Sequence, residues 1–252
     1  MNEIQQIILK KLDEIEKKEN VRILHCIESG SRAWGFPSPD SDYDVRFIYV
    51  RPKEYYLKLE KTRDVIEWQL DDILDINGWD LQKALRLLYS SNPTLFEWQK
   101  SPIVYKTSEK WNEISIVFDR YFNVKSGMYH YLSTARKTYN EHIQKDKVKL
   151  KKYFYVLRPL LCCEYIRENS TPPPMLFEDM LCYLSGDVLT EVQKLLDLKK
   201  NTSELGLGNR IPTIDKYIEQ KLDEFSTIAP ALENESAKHW QGLNEIFLKS
   251  IY

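Results

Sequence analysis

Cysteine pairs at metal-ligand spacing, histidine clusters, long apolar runs and an excess of one charge are all missing from this sequence, and each absence removes a class of function. The four cysteines, Cys26, Cys162, Cys163 and Cys182, form no Cys-x-x-Cys and sit in apolar stretches. They read as buried reduced thiols rather than as zinc ligands or a disulfide framework. None of His25, His130, His142 and His239 pairs with a Ser or Cys at a recognisable spacing, which argues against a nucleophile–histidine triad. No apolar stretch reaches membrane length, and no apolar run follows a basic start. No membrane partner is therefore expected, and the expected location is cytoplasmic. Lys and Arg total 36 against 38 for Asp and Glu, a net charge of -2. That balance does not suggest a dedicated nucleic-acid coat and leaves room only for a local basic patch.

What is present is a globular composition. At 252 residues and 42% hydrophobic, the chain can bury a real core in one large or two small domains. Ile4, Ile7, Ile8, Leu12 and Ile15 recur at helical spacing and predict an amphipathic helix over 3–19. Val21–Ile27 reads as a strand, Pro37 and Pro39 as a loop, and Asp44–Val50 as a second strand. Alternation over Asp64–Ile76 predicts a third strand, with Asp72 at a bulge or turn. Asp80 is placed to cap a helix over Leu81–Tyr89, and Asn92-Pro93 to start the next. From about residue 109 the pattern becomes helix after helix: Lys110–Phe118, Phe122–Lys145, Lys147–Glu168, Phe177–Leu184, Val188–Leu198, Thr213–Phe225 and Ser236–Ile251. The expected organisation is an α/β catalytic domain over 1–108, a small mixed sheet with flanking helices, followed by an all-α helical bundle over 109–252 that closes a substrate cleft.

The densest chemical signal is Gly30-Ser31-Arg32-Ala33-Trp34-Gly35 followed by Ser41-Asp42-Tyr43-Asp44-Val45-Arg46. Residues two apart on a strand share a face, so Asp42 and Asp44 are expected to present two carboxylates side by side. Two such groups repel unless a cation lies between them, and a hard divalent ion shared with substrate phosphates fits. The Gly30-Ser31 turn can offer backbone N–H groups to the other end of a phosphate chain. Arg32 can reach a phosphate, and Arg46 shares the carboxylate face, to neutralise it or to contact substrate. Two-metal phosphoryl chemistry usually needs a third carboxylate. Asp75 is the chosen candidate, with Asp80 and Asp72 as alternatives.

Gly-Ser followed by Asp-x-Asp at the start of an apolar strand resembles the signature of the DNA polymerase beta superfamily of nucleotidyltransferases. The run GSRAWGFPSPDSDYDVRFIYV, with INGWDLQKALRLLYSSNPTLFEWQKSPIVY and KKYFYVLRPLLCCEYI, is similar to one bacterial branch of it, an RNA-repair-pathway polymerase beta family. The resemblance implies transfer of an NMP from an NTP, such as ATP, to a hydroxyl acceptor, with release of pyrophosphate. It implies two Mg2+ or Mn2+ ions held by Asp42, Asp44 and Asp75, and a phosphate site at Gly30 and Ser31. In the helical half, Lys151, Tyr155 and Arg158 lie on one helix face with Lys152 at its edge. A helical-domain Lys and Tyr contact the triphosphate in superfamily members, which makes Lys152 and Tyr155 nucleotide-binding candidates. The acceptor is an RNA end by the family label, or else a small molecule or a protein. The alternative from another class is a non-catalytic nucleotide-binding regulator.

Overall fold

A computed structural model describes residues 3–69, 73–202, 206–233 and 238–252. The elements follow one another as α1 (Glu3–Glu19), β1 (Arg22–Glu28), α2 (Gly30–Ala33), β2 (Tyr43–Val50), α3 (Lys53–Tyr56), β3 (Val65–Gln69), β4 (Leu74–Asp80), α4 (Leu81–Tyr89), α5 (Pro93–Gln99), β5 (Val104–Thr107) and α6 (Glu109–Ser115). The chain continues through α7 (Val124–Thr138), β6 (Lys147–Lys149), α8 (Lys151–Asn169), α9 (Gly186–Asn201), β7 (Leu207–Asn209), α10 (Pro212–Ala231) and α11 (Trp240–Ser250).

Contacts divide the chain into two compact units. Unit 1 comprises the described residues of Met1–Ala33, Asp42–Tyr121 and Ala237–Tyr252; unit 2 comprises those of Trp34–Ser41 and Phe122–Ser236. Unit 1 is built on a five-stranded sheet of order β3-β4-β2-β1-β5. The β2–β4 pair is parallel and the others antiparallel, so the sheet is mixed as expected. The apolar stripe of α1, Ile8, Leu12 and Ile15, packs with Cys26, Val45, Phe47 and Ile76 of the strands. Gly78 is required where it stands, because a Cβ there would lie 2.2 Å from the Phe47 ring.

The single strand expected over Asp64–Ile76 is instead a hairpin, β3 against β4, with Val65 opposite Trp79 and Gln69 opposite Asp75. One alternating pattern spans both strands, so alternation alone does not separate them. Asp72, an alternative for the third carboxylate, lies outside the described residues. The helix starts follow the sequence pattern. Asp80 caps α4 by accepting from Gln82 N–H at 2.7 Å, and Asn92 caps α5 through Thr94 N–H at 3.0 Å. Oxygen side chains at these positions satisfy N–H groups that a helix cannot pair itself.

Unit 2 is helical apart from a two-stranded ribbon of β6 and β7, where Lys147 pairs with Asn209. The helix expected from Lys147 therefore begins only at Lys151, after that ribbon. Its core joins α7 and α8 through Met128, Leu132 and Ala135 with Phe154, Leu157 and Leu161. The segment Trp34–Ser41 belongs to this unit because Phe36 enters the helical core, with its ring centroid 4.8 Å from Phe154 and 5.3 Å from Phe177. Burying such a ring contributes about 2 kcal/mol. Four free thiols are present, of which Cys26, Cys162 and Cys163 are buried as expected; Cys182 is exposed, against expectation. Among the described residues, no helix is long and apolar enough to cross a membrane.

Candidate functional site

The site begins where β1 ends. Gly30 adopts φ +60°, a left-handed conformation that costs other residues strain. Its missing side chain has a second use, since a Cβ there would stand 2.0 Å from Asp44 Oδ2. The Asp44 carboxylate therefore occupies a cradle that only glycine leaves open. The backbone of Asp44 is fixed on both sides. Ser29 N–H donates to Asp44 C=O at 2.8 Å, and Asp44 N–H donates to Glu28 Oε1 at 2.8 Å.

Glu28 is the functional-site residue that sequence reasoning missed. It is fully buried, accepts the Tyr105 hydroxyl at Oε2, and receives Ser101 Oγ on its own carbonyl at 2.6 Å. Burial pushes its carboxyl up to about 7, against the lowering effect of the Tyr105 and Asp44 donors. The available signal is a lone acid closing a largely apolar strand, directly before Ser29-Gly30-Ser31.

The parallel register of β2 and β4 sets Asp44 directly beside Asp75. Arg46, two residues on and on the same face as Asp44, completes the group. Its Nη2 donates to Asp44 Oδ1 at 2.9 Å and to Asp75 Oδ2 at 2.8 Å. Its Nη1 donates to Asp75 C=O at 3.0 Å and to Val45 C=O at 3.1 Å. The Asp44 carboxyl is nevertheless raised above its ordinary value. Burial is the main cause; Arg46 opposes it, and the negative charges of Asp75 and Asp42 add to it. Desolvation thus outweighs the ion pair here, as the half-buried position of Asp44 leads one to expect.

Asp42 is exposed and precedes the first residue of β2, so the expected pair on one strand face is a strand residue and its immediate flank. Arg32 turns to this flank rather than to open solvent. Its Nε donates to Asp42 C=O at 3.1 Å, and its guanidinium lies 3.7 Å from the Tyr43 ring centroid. Ser31 sits in α2 beside Gly30. Asp75 occupies the second position of β4, not the end of a strand; the hairpin moves it there. Asp80, at the other end of β4, is buried and committed to the α4 cap and to the Tyr56 hydroxyl at 2.9 Å.

Gly30, Ser31, Arg32, Asp42, Asp44, Arg46 and Asp75 all belong to unit 1, whereas Lys152 and Tyr155 belong to unit 2. Within unit 2 the Lys152 ammonium lies 5.0 Å from the Tyr155 ring centroid, and that ring meets Trp34 edge-on at 5.3 Å. Arg158, on the same helix face, is buried with its guanidinium 4.8 Å from the Trp34 ring centroid.

Asp42, Asp44 and Asp75 offer hard carboxylate oxygens whose mutual repulsion is felt at Asp44, which suits a divalent cation such as Mg2+. Among the described residues, however, no three His, Cys, Asp or Glu side chains are grouped closely enough to hold a metal ion. The Arg46 guanidinium stands between two of the three carboxylates.

Comparison with known proteins gives three findings. The model of a family described as "RNA repair pathway DNA polymerase beta family" matches residues 4–249. An uncharacterized protein of Bacillus subtilis (strain 168), YcgL, is 42% identical over 254 residues, covering 98% of this chain and 96% of its own. A solved nucleotidyltransferase-like protein from Exiguobacterium sibiricum 255-15 aligns over 90% of this chain and 75% of its own, at 11% identity and a TM-score of 0.32.

Proposed function

Because this chain belongs to the RNA repair pathway DNA polymerase beta family, with a polymerase beta-like mixed sheet, flanking helices and a helical portion, we propose that it is a metal-dependent nucleotidyltransferase using an NTP. The observation that carries this reading is the pairing of Asp44 with Asp75 across parallel strands, beside a Gly30 cradle and flanked by Asp42. Asp42 and Asp44 would hold Mg2+ or Mn2+, with Asp75 as the third ligand or as the base toward the acceptor hydroxyl. The bound ions would supply charge neutralisation at the triphosphate and a lowered hydroxyl pKa at the acceptor.

The chain's own groups supply the rest. Gly30 keeps the backbone clear beside Asp44, and the Ser31 hydroxyl and the turn's N–H groups orient the outer phosphates. Arg32 holds the Asp42 backbone and so aims its carboxylate. Arg46 keeps Asp44 and Asp75 neutralised in the free protein, and released from them it can turn to a phosphate. Lys152 and Tyr155 are the unit 2 groups assigned to the nucleotide. The acceptor hydroxyl attacks the α-phosphorus, the bond to the bridging oxygen breaks, and pyrophosphate leaves.

An RNA end is the acceptor favoured by the family description, while the net charge of -2 favours a short footprint on it. One observation favours a second reading, a nucleotide-binding regulator without turnover: Arg46 already satisfies Asp44 and Asp75. Incubation with each α-32P-labelled NTP, Mg2+ or Mn2+, and separate pools of RNA, protein and small metabolites tests both. Label entering one pool with the wild type, and not with Asp44→Ala, supports transfer and identifies the acceptor class. Metal-dependent NTP binding with no transfer to any pool turns the reading to the regulator.

A further inference from the structure

Unit 2 contains an open pocket of its own, about 360 Å3, between the Trp34–Ser41 segment and α9. Trp34, Phe36 and Leu196 supply apolar lining, and Glu178, Gln193, Asp197 and Lys200 supply its polar and charged lining. On α9, positions 193, 196, 197 and 200 follow the i, i+3, i+4, i+7 rule, so one helix face supplies an amide, a carboxylate and an ammonium. The indole Nε1–H of Trp34 is buried with no hydrogen-bond partner among the described residues. An apolar, aromatic lining beside mixed donors and acceptors suits a flat heterocycle with a hydrogen-bonding edge.

A second feature adjoins it. Lys199 is only 6% exposed, which is rare for lysine. Its ammonium makes one long hydrogen bond, 3.3 Å to Ser38 Oγ, and lies 5.9 Å from the ring centroid of Phe36, the same ring that walls the pocket. Ser41 Oγ is 2.9 Å from Ser38 Oγ, so the hydroxyl that meets this ammonium is itself paired with a second. The nearby charges that act on Lys199 are Lys151, of like sign, and Asp40, of opposite sign. Among the described residues no carboxylate lies within ion-pair distance of Lys199. A buried ammonium beside a hydroxyl, with no carboxylate paired to it among the described residues, is a setting for an oxyanion.

We propose that the pocket and Lys199 form one nucleotide-binding site in unit 2, the base against Trp34 and Phe36 and the 5′-phosphate at Lys199 and Ser38. The choice of a nucleotide as the ligand rests on the nucleotidyl-transfer reading above; the cavity and the buried ammonium do not.

Calorimetric titration of the full chain with AMP, GMP, CMP and UMP, and with the matching nucleosides, in EDTA tests the site without metal or turnover. At least one monophosphate is expected to bind saturably at one site per chain, more tightly than its nucleoside. Lys199→Met keeps the buried stem and is expected to weaken the monophosphate tenfold or more while leaving the nucleoside unchanged. Ser38→Ala serves as the independent variant if Lys199→Met does not fold. Paired Gln193→Ala and Asp197→Ala changes should weaken the nucleoside as well. Asp44→Asn should leave all of this binding intact, so that loss of transfer and loss of this site are told apart. No saturable binding in EDTA, binding indifferent to both the Lys199 and the Asp197 changes, or binding lost with Asp44→Asn would overturn the proposal.

Discussion

Asp44 and Asp75 lie opposite one another in the parallel register of β2 and β4, and one nitrogen of Arg46 bonds both carboxylates, at 2.9 and 2.8 Å. The strand pairing that brings the two acids together also supplies the cation that lets them stay together. The carboxylates are thus assembled before any ligand arrives, and a metal entering between them must compete with a guanidinium that carries further bonds to Asp75 C=O and Val45 C=O.

That competition is measurable. Arg46→Met removes the charge while keeping much of the stem, and leaves Asp44 half-buried with two acidic neighbours. A loss of about 2 kcal/mol is expected from a charge-assisted hydrogen-bond partner removed at such a site. In a chain of this size that is a fall in Tm of several degrees. Added Mn2+ should restore more stability to Arg46→Met than it adds to the wild type. Equal Mn2+ shifts in thermal melts of the two proteins would show that Arg46 does not occupy the metal's place.

Gly30 tests the cradle. Alanine there meets two penalties, a left-handed backbone at φ +60° and a Cβ 2.0 Å from Asp44 Oδ2. The conformational part costs about 1–2 kcal/mol. The clash falls on a carboxylate rather than on the core, so it should displace Asp44 rather than unfold the sheet. Gly30→Ala is therefore expected to retain its far-ultraviolet spectrum and to lose transfer by about 100-fold or more. Full activity with Gly30→Ala would remove Asp44 from the reaction.

Glu28 separates support from chemistry. Glutamine at position 28 still accepts the Asp44 N–H and faces the Tyr105 hydroxyl, whereas leucine leaves both donors buried and unpaired. Each such donor costs about 1–3 kcal/mol. Chemical denaturation should find Glu28→Gln near the wild type and Glu28→Leu several kcal/mol below it. Transfer should follow the same order, since the backbone of Asp44 is what Glu28 holds.

How far the sequence alone reaches is visible at individual residues. Helix caps are local, so Asp80 and Asn92 announce α4 and α5, and the strand after Gly30-Ser31 is legible from its apolar run. Pairing is not local. Nothing within Asp64–Ile76 distinguishes one alternating strand from two, and only the parallel pairing of β4 with β2 sets Asp75 beside Asp44. Likewise, Trp34 and Phe36 stand in a Pro-rich loop next to the carboxylates, yet Phe36 belongs to the helical core. Hydrophobicity says that such a ring will be buried and not in which unit. Glu28 is hidden because a charged residue at a strand end reads as solvated, until Tyr105 and the Asp44 N–H are seen to enclose it.

Asp80 allows the choice of third carboxylate to be tested through pH. Burial raises its carboxyl from the ordinary 3.8 to about 6, against the lowering effect of the Gln82 N–H and Tyr56 donors. Between these two values the folded chain holds a proton that the unfolded chain has released, so this group's contribution to stability falls as pH rises from about 4 to about 6 and is level above that. The swing corresponds to ~3 kcal/mol. The substitution Asp80→Asn keeps the cap oxygen for Gln82 N–H and presents an amide to Tyr56, with no charge to bury. Urea midpoints of Asp80→Asn and the wild type should therefore move in favour of the variant between about pH 4 and about pH 7. Because Asp80 is spent on α4 at the far end of β4, the same variant should also retain transfer at neutral pH, whereas Asp75→Asn should lose it. The opposite pattern, activity lost with Asp80→Asn and kept with Asp75→Asn, would move the third carboxylate to Asp80 and break the link between the β2–β4 register and the chemistry.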